Sequence, residues 1–222
     1  ENIGGWNFKV SNSFEGTGRD LISWTDNDTL KRAAFGTESK LYTYFGGVNY
    51  DITPITSTVT VTNKLTTAAG STKVLVSTTN NLSTGDFVEF TSMAATIGGN
   101  IFFTSGSDFK VSVIDSNSFE VLSSTTAAAT SAATGEVTIN FLLPVGTSTA
   151  VAGLGWNAGY YGQSTYGTAR TQSDITILPR QWTLDTWGED LVAGLRGGRV
   201  YYWETSAGVD QRIIEVSAAP SV

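Results

Sequence analysis

The chain has no cysteine and no histidine among its 222 residues. Without cysteine there are no disulfides, no thiolate metal sites and no cysteine nucleophile. Without histidine, the usual general base near neutral pH and the commonest metal ligand are both missing. Together the two absences exclude Ser-His-Asp and Cys-His catalysis within this chain. No apolar run approaches the roughly 18 residues of a membrane-spanning helix, so no span is expected. No basic segment followed by an apolar one opens the chain, so no secretion signal is expected. The chain starts at Glu1 and not at a methionine, which fits processing or a partial chain.

Charge is also sparse, at 15% of residues, and its balance is −7. That sign argues against a reader of duplex DNA, which needs a basic face to neutralise phosphates. An acidic wall along a channel that passes DNA without gripping it fits the same balance. A last absence is local. All six Trp and all eight Tyr fall before Pro54 or after Pro144, and between those prolines the only aromatics are Phe. Two compositions in one chain predict one domain inserted into another. The expected units are residues 1–54 and 145–222 as two parts of one body, and residues 55–144 as an inserted domain.

What is present points to strands. Gly numbers 24, and Thr and Ser are abundant, a mixture that favours strands and turns over helices. In the first flank, Asp20-Leu-Ile-Ser-Trp24, Leu30-Lys-Arg-Ala-Ala-Phe35, Leu41-Tyr-Thr-Tyr-Phe45 and Val48-Asn-Tyr-Asp-Ile52 read as strands. Short turns at Asp26-Asn-Asp28, Gly36-Thr-Glu-Ser39 and Gly46-Gly47 separate them. In the second flank, Gln181–Trp187, Leu191–Ala193, Val200–Glu204 and Arg212–Val216 read likewise, and Arg196-Gly-Gly-Arg199 reads as a hairpin turn. The middle offers about seven strands, including Thr58–Thr62, Lys73–Ser77, Asp86–Phe90, a hairpin over Ile97–Phe103, Phe109–Ile114, Ser118–Leu122 and Glu136–Phe141. They predict a small barrel or sandwich. The Ser, Thr and Ala stretch from Ser123 to Thr134 is expected to be an exposed loop.

The flanks echo each other. Gly18-Arg-Asp-Leu-Ile22 matches Gly188-Glu-Asp-Leu-Val192, and each is followed by an aromatic strand. Repeating four-strand meanders suggest propeller blades, although two blades do not close a propeller. The fold class expected is therefore all-β. A propeller-like or sandwich body is built from two discontinuous flanks, with an inserted small β-barrel.

Two resemblances bear on this reading. Gly85-Asp-Phe-Val-Glu-Phe90 with Phe109-Lys-Val-Ser-Val-Ile-Asp-Ser-Asn-Ser-Phe-Glu-Val121 resembles the small β-barrel of the first catalytic-cysteine half-domain of ubiquitin-activating enzymes, a module that also recurs in phage structural proteins. No chemistry comes with it, since there is no cysteine. Arg19-Asp-Leu-Ile-Ser-Trp24, Gly36-Thr-Glu-Ser-Lys-Leu-Tyr42, Tyr50-Asp-Ile-Thr-Pro54, Gln181-Trp-Thr-Leu-Asp-Thr-Trp-Gly-Glu-Asp-Leu191 and Arg199-Val-Tyr-Tyr-Trp203 resemble tail proteins of tailed bacteriophages, of the propeller-like nozzle or hub type. That resemblance implies a virion structural protein, made in the host cytoplasm and placed in the phage tail. It would act by assembly into a homo-oligomeric ring with other tail proteins, with DNA passing without sticking.

The chemical candidates are few. Glu189-Asp190, Asp185, Asp26 and Asp28 either pair as glycosidase carboxyls facing a sugar or serve as turn and surface residues. Asp26-Asn-Asp28 either binds Ca²⁺ or makes a turn, and it lacks the 12-residue loop spacing of a dedicated calcium loop. Arg196 and Arg199 either clamp a phosphate or flank a hairpin. No catalytic residue, cofactor or metal is expected. The expected interface residues are Trp156, Tyr160, Tyr161, Tyr166, Trp187, Tyr202 and Trp203, because Trp and Tyr supply contact area at small entropic cost. The alternative function is a carbohydrate-binding or receptor-binding adhesin module, in which the same rings would stack on sugars.

Overall fold

A computed structural model describes residues 12–93, 97–101, 103, 106–132, 135–149 and 178–219. Among these residues there is no α-helix, and the protein is all-β. No helix among them is long and apolar enough to cross a membrane.

The first flank forms a four-stranded antiparallel meander of β1 (Gly18–Thr25), β2 (Lys31–Thr37), β3 (Leu41–Phe45) and β4 (Val48–Asp51), in sequence order. Gly46 and Gly47 take φ of 60° and 90° between β3 and β4. Positive φ at both central residues matches the right-handed strand twist and favours glycine there. Asp26 makes the β1–β2 turn, accepting the backbone N–H groups of Asp28 at 3.1 Å and Leu30 at 2.8 Å.

The middle is one eight-stranded antiparallel sheet that curls into a half-barrel. It comprises β5 (Ile55–Thr62), β6 (Leu65–Thr67), β7 (Lys73–Ser77), β8 (Phe87–Met93), β9 (Ser107–Asp115), β10 (Ser118–Leu122), β11 (Ser131–Ala132) and β12 (Glu136–Leu142). Chain entry and exit lie side by side, because β5 and β12 pair from Thr62↔Glu136 to Ile55↔Leu142, and Leu143 N–H donates to the Pro54 carbonyl at 2.9 Å. The second flank forms another four-stranded meander: β13 (Trp182–Trp187), β14 (Asp190–Leu195), β15 (Val200–Trp203) and β16 (Ile214–Glu215).

Two apolar clusters organise these sheets. One draws only on the middle, with Val74, Val76, Phe90, Phe119, Val121 and Ile139 fully buried. The other joins the two meanders through Ala34, Leu41, Ile52, Trp182, Leu191, Tyr201, Trp203 and Ile213. The meanders meet where Trp182 lies on Gly36, a position at which any Cβ would fall inside the indole ring. The Trp182 indole N–H then donates to the Thr37 carbonyl at 2.8 Å. Trp24 and Trp203 are satisfied in the same way, by the carbonyls of Glu189 at 2.8 Å and Gln211 at 3.0 Å. Indoles taken out of water need such partners, and the bonds of Trp24 and Trp182 also tie one meander to the other.

Three expectations need correcting. The echo does not fall on equivalent strands: Gly18–Ile22 opens the first strand of its meander, whereas Gly188–Val192 leads into the second strand of its own. The Ser-Thr-Ala stretch is not simply an exposed loop. Ala127 is buried in the middle core, its backbone pairs with Gly70 and Ser71, and β11 pairs with β6. The C-terminal strand is short because Ile213 N–H donates to Ile52 in the first flank at 3.0 Å, leaving Ile214 and Glu215 to pair with β15.

Candidate functional site

The densest chemistry lies where the middle meets the flanks. Lys40 precedes β3, Asp51 ends β4, Glu89 lies on β8, Asp108 on β9, and Arg212 just before β16. Lys40 Nζ is 2.6 Å from Asp51 and 2.5 Å from Asp108. Arg212 reaches Asp51 at 3.0 Å, Asp108 at 2.6 Å and Glu89 at 3.4 Å. Glu89 also accepts from the Asn140 amide at 3.2 Å. The cluster borders a cleft of about 630 Å³.

The two aspartates diverge. Burial and the hydrogen bond shared with Asp51 push the Asp108 carboxyl up to about 6. Burial would raise Asp51 as well, but the hydrogen bond from Asp108 and the charges of Lys40 and Arg212 hold it well below the usual carboxylate range. Thr53 adds two hydrogen bonds to Asp51, from its N–H at 2.9 Å and its hydroxyl at 2.5 Å. Burial lowers a lysine, yet the same two carboxylates raise Lys40 overall. One ammonium and one guanidinium thus hold three carboxylates. Such a cluster joins the middle to both flanks.

None of these five residues was singled out from the sequence. They are scattered along the chain and carry no local motif. The usable signal was a lone charge at a strand end in a chain with little charge.

Of the carboxylates that sequence reasoning weighed, Asp28 is exposed in the β1–β2 turn and the other four are occupied otherwise. Asp26 binds the Arg32 guanidinium at 2.8 Å in addition to its turn amides. Asp190 accepts from the Tyr202 hydroxyl and from Thr205 N–H, the latter at 2.8 Å. Glu189 accepts from Asn27 N–H at 3.2 Å, and Asp185 from Thr186 N–H at 2.8 Å. Arg196 binds Gln181 at 2.8 Å and Arg199 pairs with Glu215, flanking a closed hairpin turn. Among the described residues, no group of three or more Asp or Glu is placed to hold a metal ion.

Of the expected interface residues, Trp156, Tyr160, Tyr161 and Tyr166 lie outside the described residues. Trp187, at the end of β13, is 76% exposed. Tyr202 is half-buried on β15, bonded to Asp190. Trp203 is 1% exposed and belongs to the core joining the meanders, where the Arg32 guanidinium lies 6.0 Å from its ring. The strand period explains the split, since neighbours on β15 point to opposite faces. A second apolar surface, not anticipated from the sequence, lies on the first meander. Leu21 there is 69% exposed and, with Phe14, Ala33, Phe35 and Tyr44, lines a groove of about 710 Å³.

Fold and site together define an all-β protein of two packed meanders and a curled eight-stranded sheet, bound by a buried charged cluster. No protein-family model and no curated protein matches the chain. Among solved structures it is similar to a phage phi92 endosialidase, at 15% identity and a TM-score of 0.35, over 82% of this chain and 28% of that one. The chain thus spans 28% of the length of that protein.

Proposed function

We propose that the chain is a structural component of a phage virion tail, as a nozzle, hub or adaptor, acting by oligomeric assembly and not by catalysis. The observation that carries this reading is the outward face of each meander, which keeps large apolar side chains in water: Leu21 at 69%, Trp187 at 76% and Ile214 at 65% exposure. Exposed patches of this kind mark surfaces that bind protein. The flank motifs that resemble tail proteins supply the location. Residues 1–54 and 145–222 form the assembling body and residues 55–144 an inserted domain, supported by two separate apolar cores and by the paired entry and exit strands. The acidic balance of −7 suits a passage through which DNA slides.

Light scattering on the purified chain tests the assembly. A particle whose mass is a fixed multiple of 23.5 kDa is expected, and a monomer at all concentrations would remove self-assembly. The exposed Trp187 ring, with Asp185 on the same face of β13, also favours the second reading, a glycan-binding adhesin module. Glycan binding by a monomer, lost in Trp187→Ala, would establish that reading in its place.

A further inference from the structure

A lysine amine and a carboxylic acid condense to an amide when they are held together out of water and in their neutral forms. The Lys40 site meets the first condition by packing. Lys40 is 6% exposed, and its Nζ lies 4.4 Å from the centre of the Phe87 ring. Nζ is 2.5 Å from Asp108 Oδ2. The carboxyl carbon is one bond of about 1.2 Å beyond that oxygen, so it stands within about 3.8 Å of Nζ, close to attack distance.

The second condition is met by the two carboxyls around this amine, which differ in charge. Asp108 keeps its proton up to about pH 6, whereas Asp51 stays ionised. Carboxyls driven apart in this way divide the acid and base roles between them. Asp51 accepts from Lys40 Nζ at 2.6 Å and is placed to take its proton. Neutral Asp108 is the carboxyl open to a nucleophile. Arg212 Nη2 donates to its other oxygen, Oδ1, at 2.6 Å. Negative charge gathers on that oxygen as the carboxyl carbon becomes tetrahedral, and a fixed cation there favours the step.

We propose that Lys40 and Asp108 join through an isopeptide bond in the folded chain, with Asp51 as the proton carrier. The reactants are the Lys40 ammonium, neutral Asp108 and ionised Asp51. A proton passes from Nζ to Asp51. The freed Nζ lone pair bonds to Asp108 Cγ, and the carbonyl pair moves onto Oδ1 beside Arg212. As that pair returns, the bond from Cγ to the hydroxyl oxygen breaks, and the hydroxyl takes the proton of Asp51 and leaves as water. Nζ sheds a second proton to Asp51. The products are a neutral amide, one water and protonated Asp51, so charge and atoms balance without an oxidant or reductant. Lys40 and Asp108 are 68 positions apart, and the bond closes a covalent loop between the first flank and the middle. Unreacted chain is the form in which Asp51 and Asp108 titrate. The inference is independent of the assembly reading and holds for a monomer or a ring.

Glu15, Tyr42, Tyr50, Glu89 and Asp210 border the same cleft, and Lys110 lies 5.7 Å over the Phe87 ring, so the pH dependence belongs to the whole cluster. The test is the intact mass of the purified chain, held for days at pH values below and above 6. A loss of one water is expected, faster on the acid side. Trypsin does not cut after an acylated lysine. Digestion of the reacted chain is therefore expected to give a branched product that joins residues 33–64 to residues 74–110. Lys40→Arg keeps the charge without the nucleophilic amine and is expected to keep its full mass. Asp51→Asn is expected to lose water about 100-fold more slowly, the scale of one proton-transfer group. A parent mass unchanged at every pH would overturn the proposal. So would a water loss that Lys40→Arg retains, or one confined to residues 33–64, where Asp51 lies. The mass and peptides of the parent decide the matter even if a variant fails to fold.

Discussion

Asp108 lies within 2.6 Å of both a guanidinium and an ammonium, and yet it is the aspartate that holds its proton more tightly. Burial beside the Asp51 carboxyl outweighs the two cations. The folded state thus binds a proton on Asp108 that the unfolded chain releases near the ordinary value of 3.8. The stability this contributes is fully present below pH 3.8 and is lost as the pH rises through about 6. Asp51 has the opposite sign: its contribution is present above the ordinary value and is lost as the pH falls toward its depressed one. Asp108→Asn cannot titrate at that position. Urea midpoints of parent and variant measured between pH 4 and pH 7 should therefore converge or cross as the pH rises to about 6, because only the parent loses the Asp108 contribution. Parallel curves over that window would show that Asp108 titrates as an ordinary carboxylate.

At the scale of elements, the two apolar clusters predict two unfolding units. The middle contains neither Trp nor Tyr, so tryptophan emission reports on the flanks alone. Phe119 is fully buried in the middle core, and removing its ring should cost about 3–5 kcal/mol there. In Phe119→Ala, the loss of far-ultraviolet strand signal should begin before tryptophan emission changes; coincident transitions would mean one cooperative unit. The elements themselves were largely legible in the sequence. Strands β1 to β4 and β13 to β15 follow from aromatic and β-branched runs cut by Gly-Gly, Asp-Asn and Gly-Glu turns. What was not legible is non-local. β11 is a strand only because β6 lies beside it, and the three-residue β6 is held between β11 and β7. The echo motif matched in sequence but landed on different strands, since a Gly-x-Asp start serves any strand that follows a turn. The burial of Trp203 against the exposure of Trp187 depends on which face meets the other meander, and composition does not carry that information.

For the whole molecule, the question is what couples the middle sheet to the two meanders. The paired strands β5 and β12 make one neck. Besides Lys40, which joins Asp51 to Asp108, the second link is Arg212, whose contacts reach Asp51 in the first flank and both Asp108 and Glu89 in the middle. Its guanidinium suits this role because it presents several donors in a rigid fork, which a lysine cannot do. Arg212→Met keeps most of the apolar stem and removes the charge, leaving Lys40 to face three carboxylates. Breaking a buried pair in this way typically costs about 3–5 kcal/mol, mostly from the charge left unpaired. That origin makes a double-mutant cycle decisive. With Asp108→Asn already in place, one carboxylate is neutral, so adding Arg212→Met strands less charge and should cost less than it does alone. A shortfall of about 1–3 kcal/mol from the sum of the single effects is expected for groups in direct contact. Additive losses would mean that Arg212 only fills space at the junction and is not coupled to the Asp108 charge.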